Sequence, residues 1–374
     1  MLNKSFLTVG SKRFHYIWLR DNCFCPECRR PNTLRKVYDI SDQTSPPEPL
    51  SVEEQDGELT ILWNEDPPHR STFPLSWLLS HAYDREAGRG SFHQEFESIE
   101  KEEILWDKAW IENHLSEYCH DADSCTFETW ANQLFTLGFT VLENMSAEDF
   151  EVFLSTIGPI YHTEFGAISM MRVDLNTKPV PHPGDVLFPH NDFSYRCCPQ
   201  LLTCLHMGQN DVLGGESLLV DGFRVAHDFR QNHPNYFQIL AATPIRFEKF
   251  YKDFGYLYRR KRYILELDEQ NWVKRVNFGH AHTCDWDLPF DEMELFYEAF
   301  FTFLRYLKNP AYSHCFRLKP RNCLLLNNSR ILHGRRAFDS NSGIRDLRTA
   351  WIDWDYFVGK HNFHQFKHFY SVAQ

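Results

Sequence analysis

Pro181-His182-Pro183-Gly184-Asp185-Val186-Leu187-Phe188-Pro189-His190-Asn191-Asp192 combines a Gly/Pro-rich lead-in, a short apolar run and a His-x-Asp tripeptide. This order places His190 and Asp192 at the end of a strand or in the loop just beyond it. A matching arrangement follows downstream. The apolar strand Cys323–Leu326 and the turn-like Asn327-Asn328-Ser329 lead into Leu332-His333-Gly334-Arg335-Arg336. Two imidazoles and one carboxylate can take one face of an octahedral metal and leave the other face open, as in non-haem Fe(II) sites. Taken singly, His190 reads as a packed or surface histidine, Asp192 as a turn residue and Arg335-Arg336 as a solvated basic patch. The order His-x-Asp, strand-rich spacer, His, then Arg is what favours a site.

The surrounding pattern is mainly β with inserted helices. Strand candidates are Ser5–Val9, Phe14–Leu19, Glu58–Trp63, Leu201–Met207, Glu216–Val220, Pro244–Phe247, Tyr263–Leu267, Val273–Asn277, Asn322–Asn327 and Thr349–Trp354. Helices are expected over Thr126–Leu137, from Ser146 as N-cap to Ile157, over Phe223–Gln231, over Asn235–Ala241 and from Asp291 to about Leu307. Asp291 and Glu294 are spaced as a capping box. Many short strands with few helices suit a barrel or jelly roll better than βαβ units. The polar, Gly-punctuated stretch Tyr83–Lys101 marks a boundary, giving a small domain over 1–100 and a larger one over 101–374.

A chain of 374 residues accommodates such a pair, and 43% hydrophobic residues with 32 Phe supply a substantial core. The formal charge of −12 and pI near 5.9 repel phosphate backbones and anionic membrane surfaces, so neither nucleic acid nor membrane is an expected partner. No stretch approaches the ~20 apolar residues of a membrane span. The opening Met1-Leu2-Asn3-Lys4-Ser5-Phe6-Leu7 lacks the apolar run and cleavage site of a secretory signal.

Eleven cysteines are an odd count, and three of them cluster in Cys23-Phe24-Cys25-Pro26-Glu27-Cys28. That points to metal binding in a reducing compartment, with a cytoplasmic location expected. Zinc takes four tetrahedral ligands, and a Cys₃His set closes the shell. His69, in the loop expected after Glu58–Trp63, is the best fourth candidate, and His15, inside a strand reading, ranks second. A closed shell leaves no position for water, which makes the zinc structural and disfavours a zinc hydrolase.

The iron candidate asks for more than three ligands. A 2-oxo acid can chelate through its carboxylate and keto oxygen, leaving one position for O₂. The far carboxylate of that cosubstrate calls for a guanidinium, whose fork suits it better than an ammonium. Arg345 and Arg348, leading into Thr349–Trp354, are both candidates.

At these residues the chain resembles the γ-butyrobetaine hydroxylase family of 2-oxoglutarate-dependent dioxygenases, within the wider taurine-dioxygenase-like group. The resemblance covers nearly the whole chain. It rests on Trp18-Leu19-Arg20-Asp21-Asn22-Cys23-x-Cys25-x-x-Cys28, Gly214-Gly215-Glu216-Ser217-x-x-Val220-Asp221-Gly222-Phe223, Leu332-His333-Gly334-Arg335-Arg336 and Trp351-Ile352-Asp353-Trp354-Asp355. It implies a double-stranded β-helix (jelly-roll) catalytic domain preceded by a small zinc-binding β domain, assembled as a homodimer. It also implies His190, Asp192 and His333 as iron ligands, Arg345 as the 2-oxoglutarate clamp and Ser217 as a further hydroxyl on that cosubstrate. Cys23, Cys25, Cys28 and His69 would hold zinc.

In that family a trimethylammonium head sits in an aromatic cage. Ungapped alignment from His190 puts the cage positions at Phe165, Ser169 and His182, joined by Trp351. Phe193 is a further substrate-side residue, and the family's substrate-side asparagine falls on Gly279, beside His280. Two cage aromatics are thus replaced by Ser and His. The expected activity is therefore an Fe(II)/2-oxoglutarate-dependent oxygenase acting with O₂ on an unactivated C–H bond of a small polar or amphipathic metabolite. Succinate and CO₂ would be released. The alternatives are a γ-butyrobetaine or trimethyllysine hydroxylase of carnitine biosynthesis and, in another class, a non-catalytic zinc-organised binding protein.

Overall fold

The computed structural model describes residues 5–84, 103–174, 184–197 and 200–370. The chain separates into two compact units, Met1–Lys101 with Asn362–Gln374, and Glu102–His361. Among the described residues no helix is long and apolar enough to cross a membrane.

In the first unit Phe6–Val9 and Lys12–His15 form an antiparallel ribbon, and Pro49–Gln55, Glu58–Trp63 and His69–Pro74 form an antiparallel sheet. The hairpin between the first two strands of that sheet turns at Asp56-Gly57, both left-handed with φ of 53° and 83°. A two-residue type I′ turn requires this conformation, and Asp-Gly supplies it. Alternation along Glu58–Trp63 directs Leu59, Ile61 and Trp63 into a core shared with Phe14, Phe73 and Trp77. The expected strand Phe14–Leu19 instead divides. Its strand ends at His15, and the helix Tyr16–Asp21 follows with Tyr16, Leu19 and Arg20 buried. Burial at i, i+3 and i+4 is a helical face, and packing of that face overrides the aromatic-rich strand propensity.

The second unit is built on two facing sheets. The larger runs in the order Cys119–Asp121, Phe139–Glu143, Cys323–Asn327, Leu201–Asn210, Arg345–Asp353, Ser169–Val173. The smaller runs Ser313–Phe316, Ser217–Asp221, Ile331–Arg335, Leu187–His190. Leu205, Met207, Leu326 and Leu347 of the larger sheet pack with Leu219 and Ile331 of the smaller one. The two inner faces thus close on an apolar layer and make a double-stranded β-helix. The outer face of Leu201–Asn210 is covered as well, by the helix Ala147–Ile157, whose Phe150 stacks on His206 at 5.0 Å. Cover on both faces explains why that strand begins with a nearly unbroken apolar run.

Helices Phe127–Thr136, Gly222–Asn232 and Pro234–Ala242 occupy segments read as helical, and Ser146 caps its helix in a capping box with Asp149. The helix Phe290–Lys308 forms without the expected Asp291/Glu294 box. Pro289 is its N-cap residue, and Asp291 and Glu292 instead sit in the first turn, where they complement the helix dipole. The strand Tyr256–Arg262, paired with Ile245–Tyr251, was not anticipated. Its Arg259-Arg260-Lys261-Arg262 run reads as coil because most of its side chains face solvent. Ser169–Val173 and the helix Trp354–Tyr370 also went unread.

Candidate active site

The two distant histidines meet because their strands pair. His190 lies directly opposite His333 in the register between Leu187–His190 and Ile331–Arg335, with ring centroids 4.5 Å apart. Asp192 places Oδ1 3.6 Å from His190 Nε2 and Oδ2 3.7 Å from His333 Nε2. One ligand atom from each residue lies within 4.8 Å of the other two, a donor set that fits a divalent cation.

Supporting contacts fix this arrangement. The carbonyl of Phe188 lies 2.9 Å from His190 Nδ1 and accepts a hydrogen bond from it, which orients the ring with Nε2 toward Asp192. Trp351 Nε1 donates to Asp192 Oδ2 at 2.8 Å. Asp192 N donates to Asn328 Oδ1 at 2.9 Å, and Asn328 Nδ2 donates back to the Asp192 carbonyl at 3.0 Å. The buried Asn191 donates from Nδ2 to the Asn328 carbonyl at 2.6 Å and accepts from Phe278 N at 3.1 Å. Two amides therefore tie the His-x-Asp loop to the turn before the His333 strand. Phe193 sits at φ 61°, a conformation that bulky residues rarely adopt, and its ring packs 4.8 Å from Trp351. The sequence reading missed Asn191 and Asn328. The only available signal was an asparagine at the variable position of the motif and another in the turn.

Burial raises the Asp192 pKa, but the charge of His333 and then the hydrogen bond and charge of His190 outweigh it and hold the carboxyl below its usual range. Burial lowers His333 to about 4 against the attraction of Asp192. Burial lowers the His190 pKa as well, but the hydrogen bond and charge of Asp192 outweigh it and raise the group. The site therefore presents an anion and one imidazole, His333, with little affinity for a proton at neutral pH, while a cation would have to compete with a proton at His190.

Register also separates the two arginines. Arg345, Leu347, Thr349 and Trp351 share one face of their strand, lying opposite Asn210, Met207, Leu205 and Thr203 across a bulge between Met207 and Gln209. Arg348 falls on the other face, opposite His206, so it does not share the inner face with Arg345, contrary to the expectation that either could serve. Arg345 is 7% exposed, and among the described residues its Nε has no hydrogen-bond partner and no carboxylate pairs with it. Burial, then the neighbouring Arg335 and Arg317, lower its pKa to about 10. A buried guanidinium beside two others favours an anionic ligand. Ser217 lies opposite Arg335, on the face that also carries His333.

Of the expected substrate-side residues, Phe193 and Trp351 adjoin Asp192, and Ser169 lies opposite Thr349 on the Trp351 face. Phe165 is 45% exposed and meets Tyr251 edge-on at 5.6 Å. His182 lies outside the described residues. His280 is exposed and turned toward Phe300 at 6.5 Å, and the neighbouring His282 comes to 6.4 Å from His190 instead. Gly279 makes room for this, since a Cβ there would lie 3.1 Å from His282 Nδ1. A cavity of about 390 Å³ bordered by Arg260, Lys261, Lys274 and Glu266 touches no triad residue, so cavity size does not locate the site.

In the first unit Cys23, Cys25 and Cys28 bring their sulfurs to 3.3, 3.6 and 3.5 Å from His69 Nε2. This Cys₃His cluster is compatible with zinc. His69 opens the strand His69–Pro74 rather than lying in a loop, and His15 is elsewhere, stacked on Tyr83 at 5.8 Å. Arg20, unread in the sequence, donates to Cys28 Sγ at 3.2 Å and pairs with Glu65 at 2.6 Å. The hydrogen bond from Cys28, with others from His69 and Ser71, overcomes burial and holds the Cys23 thiol below its ordinary range.

A double-stranded β-helix carrying a His/Asp/His cluster and a buried arginine belongs with the Fe(II)/2-oxoglutarate-dependent dioxygenases. The chain is a member of the taurine catabolism dioxygenase TauD, TfdA family, whose model matches residues 119–351. A γ-butyrobetaine hydroxylase-like N-terminal model matches residues 4–79. The resemblance read from the motifs therefore holds, and the protein is a dioxygenase and an oxidoreductase. It is 28% identical over 357 residues to a γ-butyrobetaine dioxygenase of Pseudomonas sp. strain AK-1, covering 91% of this chain and 88% of the relative. It is 25% identical over 370 residues to a trimethyllysine dioxygenase of Meyerozyma guilliermondii, covering 94% and 90%. The crystal structure of the PvcB protein from Pseudomonas aeruginosa aligns with a TM-score of 0.48 and 14% identity over 63% of this chain and 86% of that one.

Proposed function

We propose that the protein hydroxylates a small polar or amphipathic metabolite, with His190, Asp192 and His333 holding Fe(II) and Arg345 and Ser217 holding the far carboxylate of 2-oxoglutarate. In this reading residues 101–374 form the catalytic domain and residues 1–100 the zinc domain, with Cys23, Cys25, Cys28 and His69 as ligands. The observation that carries it is the direct pairing of His190 with His333, with Asp192 within reach of both and Arg345 on the neighbouring inner face. Fe(II), 2-oxoglutarate and O₂ together supply oxidation of an unactivated C–H bond, with succinate and CO₂ as coproducts. The chain's own residues orient and exclude. Trp351 holds Asp192 in place, Asn191 and Asn328 fix the loop, and Phe193 and Trp351 shield the metal's flank from water.

Phe165, Ser169, Phe193, Gly279 and Trp351 line the substrate side in this reading, and His282 takes the place expected of His280. Hydroxylation of γ-butyrobetaine or trimethyllysine is the second reading, favoured by full-length similarity to relatives of those names. Ser169 and His182 at cage positions count against it. The clustered thiols need a reducing compartment, which supports the cytoplasm, and a homodimer is the assembly the resemblance implies. Light scattering tests the dimer. The activity is tested by substrate-stimulated succinate release with and without Fe(II). His190→Ala is expected to abolish that release, and its retention at the wild-type level would overturn the assignment.

A further inference from the structure

The aromatic wall beside the triad already holds a cation. Arg196, just past Asp192 in the chain, carries its Cζ 4.8 Å from the centre of the Phe193 ring and 4.3 Å from that of Tyr258. Its guanidinium is ion-paired to Glu164, and the two side chains are only 9% and 1% exposed. The pair adjoins the site on one side through Phe193, which packs on Trp351, whose N–H holds Asp192. On the other side Tyr195 bonds Tyr251 Oη at 2.9 Å and lies edge-on to His282 at 4.9 Å, next to His190.

A cation between two aromatic faces with a buried carboxylate beside it is the arrangement that recognises a quaternary ammonium. Here the chain's own guanidinium fills that position. A second cation would meet like charge in a poorly screened interior and would have to displace Arg196 from Glu164. Resting on the oxygenase reading above, we propose that Arg196 is a specificity-determining residue. It takes the cation position of the substrate wall, excludes quaternary ammonium heads, and restricts the substrate to a small molecule whose corresponding end is uncharged or anionic.

The test compares wild type with Arg196→Ala, which leaves Glu164 as a carboxylate among Phe193, Tyr195, Tyr251 and Tyr258. Tetramethylammonium is the probe, and its affinity is read by thermal shift without iron. Arg196→Ala is expected to bind it about 10-fold or more tightly than wild type, from regained cation–π and charge contacts. Adding Glu164→Gln should remove that gain. Equal affinity in wild type and Arg196→Ala would overturn the proposal. Should Arg196→Ala not fold, the iron-loaded wild type decides alone. No stimulation of 2-oxoglutarate consumption by γ-butyrobetaine or trimethyllysine supports the proposal, and stimulation by either overturns it. Absence of 2-oxoglutarate binding by the iron-loaded wild type would instead sink the oxygenase reading, while the iron-free tetramethylammonium comparison would still stand.

Discussion

The two metal-ligand clusters are assembled on opposite plans. Cys23, Cys25 and Cys28 share one knuckle and recruit only His69 from a neighbouring sheet. His190, Asp192 and His333 are brought together by a strand pairing across the smaller sheet. Four protein ligands of mostly soft sulfur close a tetrahedral shell, whereas two imidazoles and a carboxylate on one face leave room for a reactant. The first unit has a thin core around Trp63 and Trp77, and a metal bound there would act as a staple. The second buries two large clusters without help from its triad, so a metal bound there would be free to serve chemistry.

This contrast is open to direct attack. Stripping the Cys₃His ion, by a strong chelator or by Cys28→Ser, is expected to remove on the order of 10 kcal/mol from the first unit. Limited proteolysis would then cut within residues 1–84 and spare residues 103–361; an unchanged digest with zinc absent by metal analysis would break the staple idea. Next in size, Arg345→Ala should weaken 2-oxoglutarate about 100-fold with Fe(II) affinity kept, roughly 3 kcal/mol. Arg348→Ala, on the other face, should change it by less than about 2-fold. Equal losses in anaerobic titrations of the two variants would defeat the register assignment.

Acid should weaken the second unit even without metal. Burial holds His314, bonded to Tyr118 Oη at 2.8 Å, at about 4 in the folded chain, against an ordinary 6.5. The unfolded state therefore takes up a proton that the folded state refuses. Stability is full above about pH 6.5 and falls as pH drops toward 4, by up to about 3 kcal/mol for this residue. His314→Phe should flatten that part of the pH dependence of the urea midpoint, and an unaltered slope would assign it elsewhere. A further loss is expected from Trp351→Phe, which deletes one hydrogen bond to Asp192 and should lower Fe(II) affinity roughly 10- to 100-fold. Unchanged iron binding would mean that Asp192 is held by its backbone alone.

Both ligand sets were legible in the sequence because donor type and spacing are chemical facts that survive without a fold. Strands with one buried face were legible for a related reason, as in Glu58–Trp63, where alternation writes the burial directly into the residues. What escaped depends on neighbours that the linear chain does not display. Arg345 and Arg348 look equivalent until strand parity assigns them to opposite faces. His280 and His282 differ only in which way a short turn points them. Arg20, Asn191, Asn328 and Arg196 are polar groups whose partners lie far away in sequence, so nothing local distinguished them from surface residues. Tyr256–Arg262 was hidden by its own charge, since an exposed strand need not alternate.

The pairing of His190 with His333 has an evolutionary corollary. Side chains alternate along a strand, so removing or inserting one residue ahead of either histidine would turn it to the opposite face of the sheet. Between Leu187 and His190, and between Ile331 and His333, descendants of this chain can exchange residues within what the buried Ile331 and Leu332 allow, but cannot change their number. Length variation should therefore collect in the loops between strands, leaving these two short segments as fixed rulers against which the rest of the gene drifts.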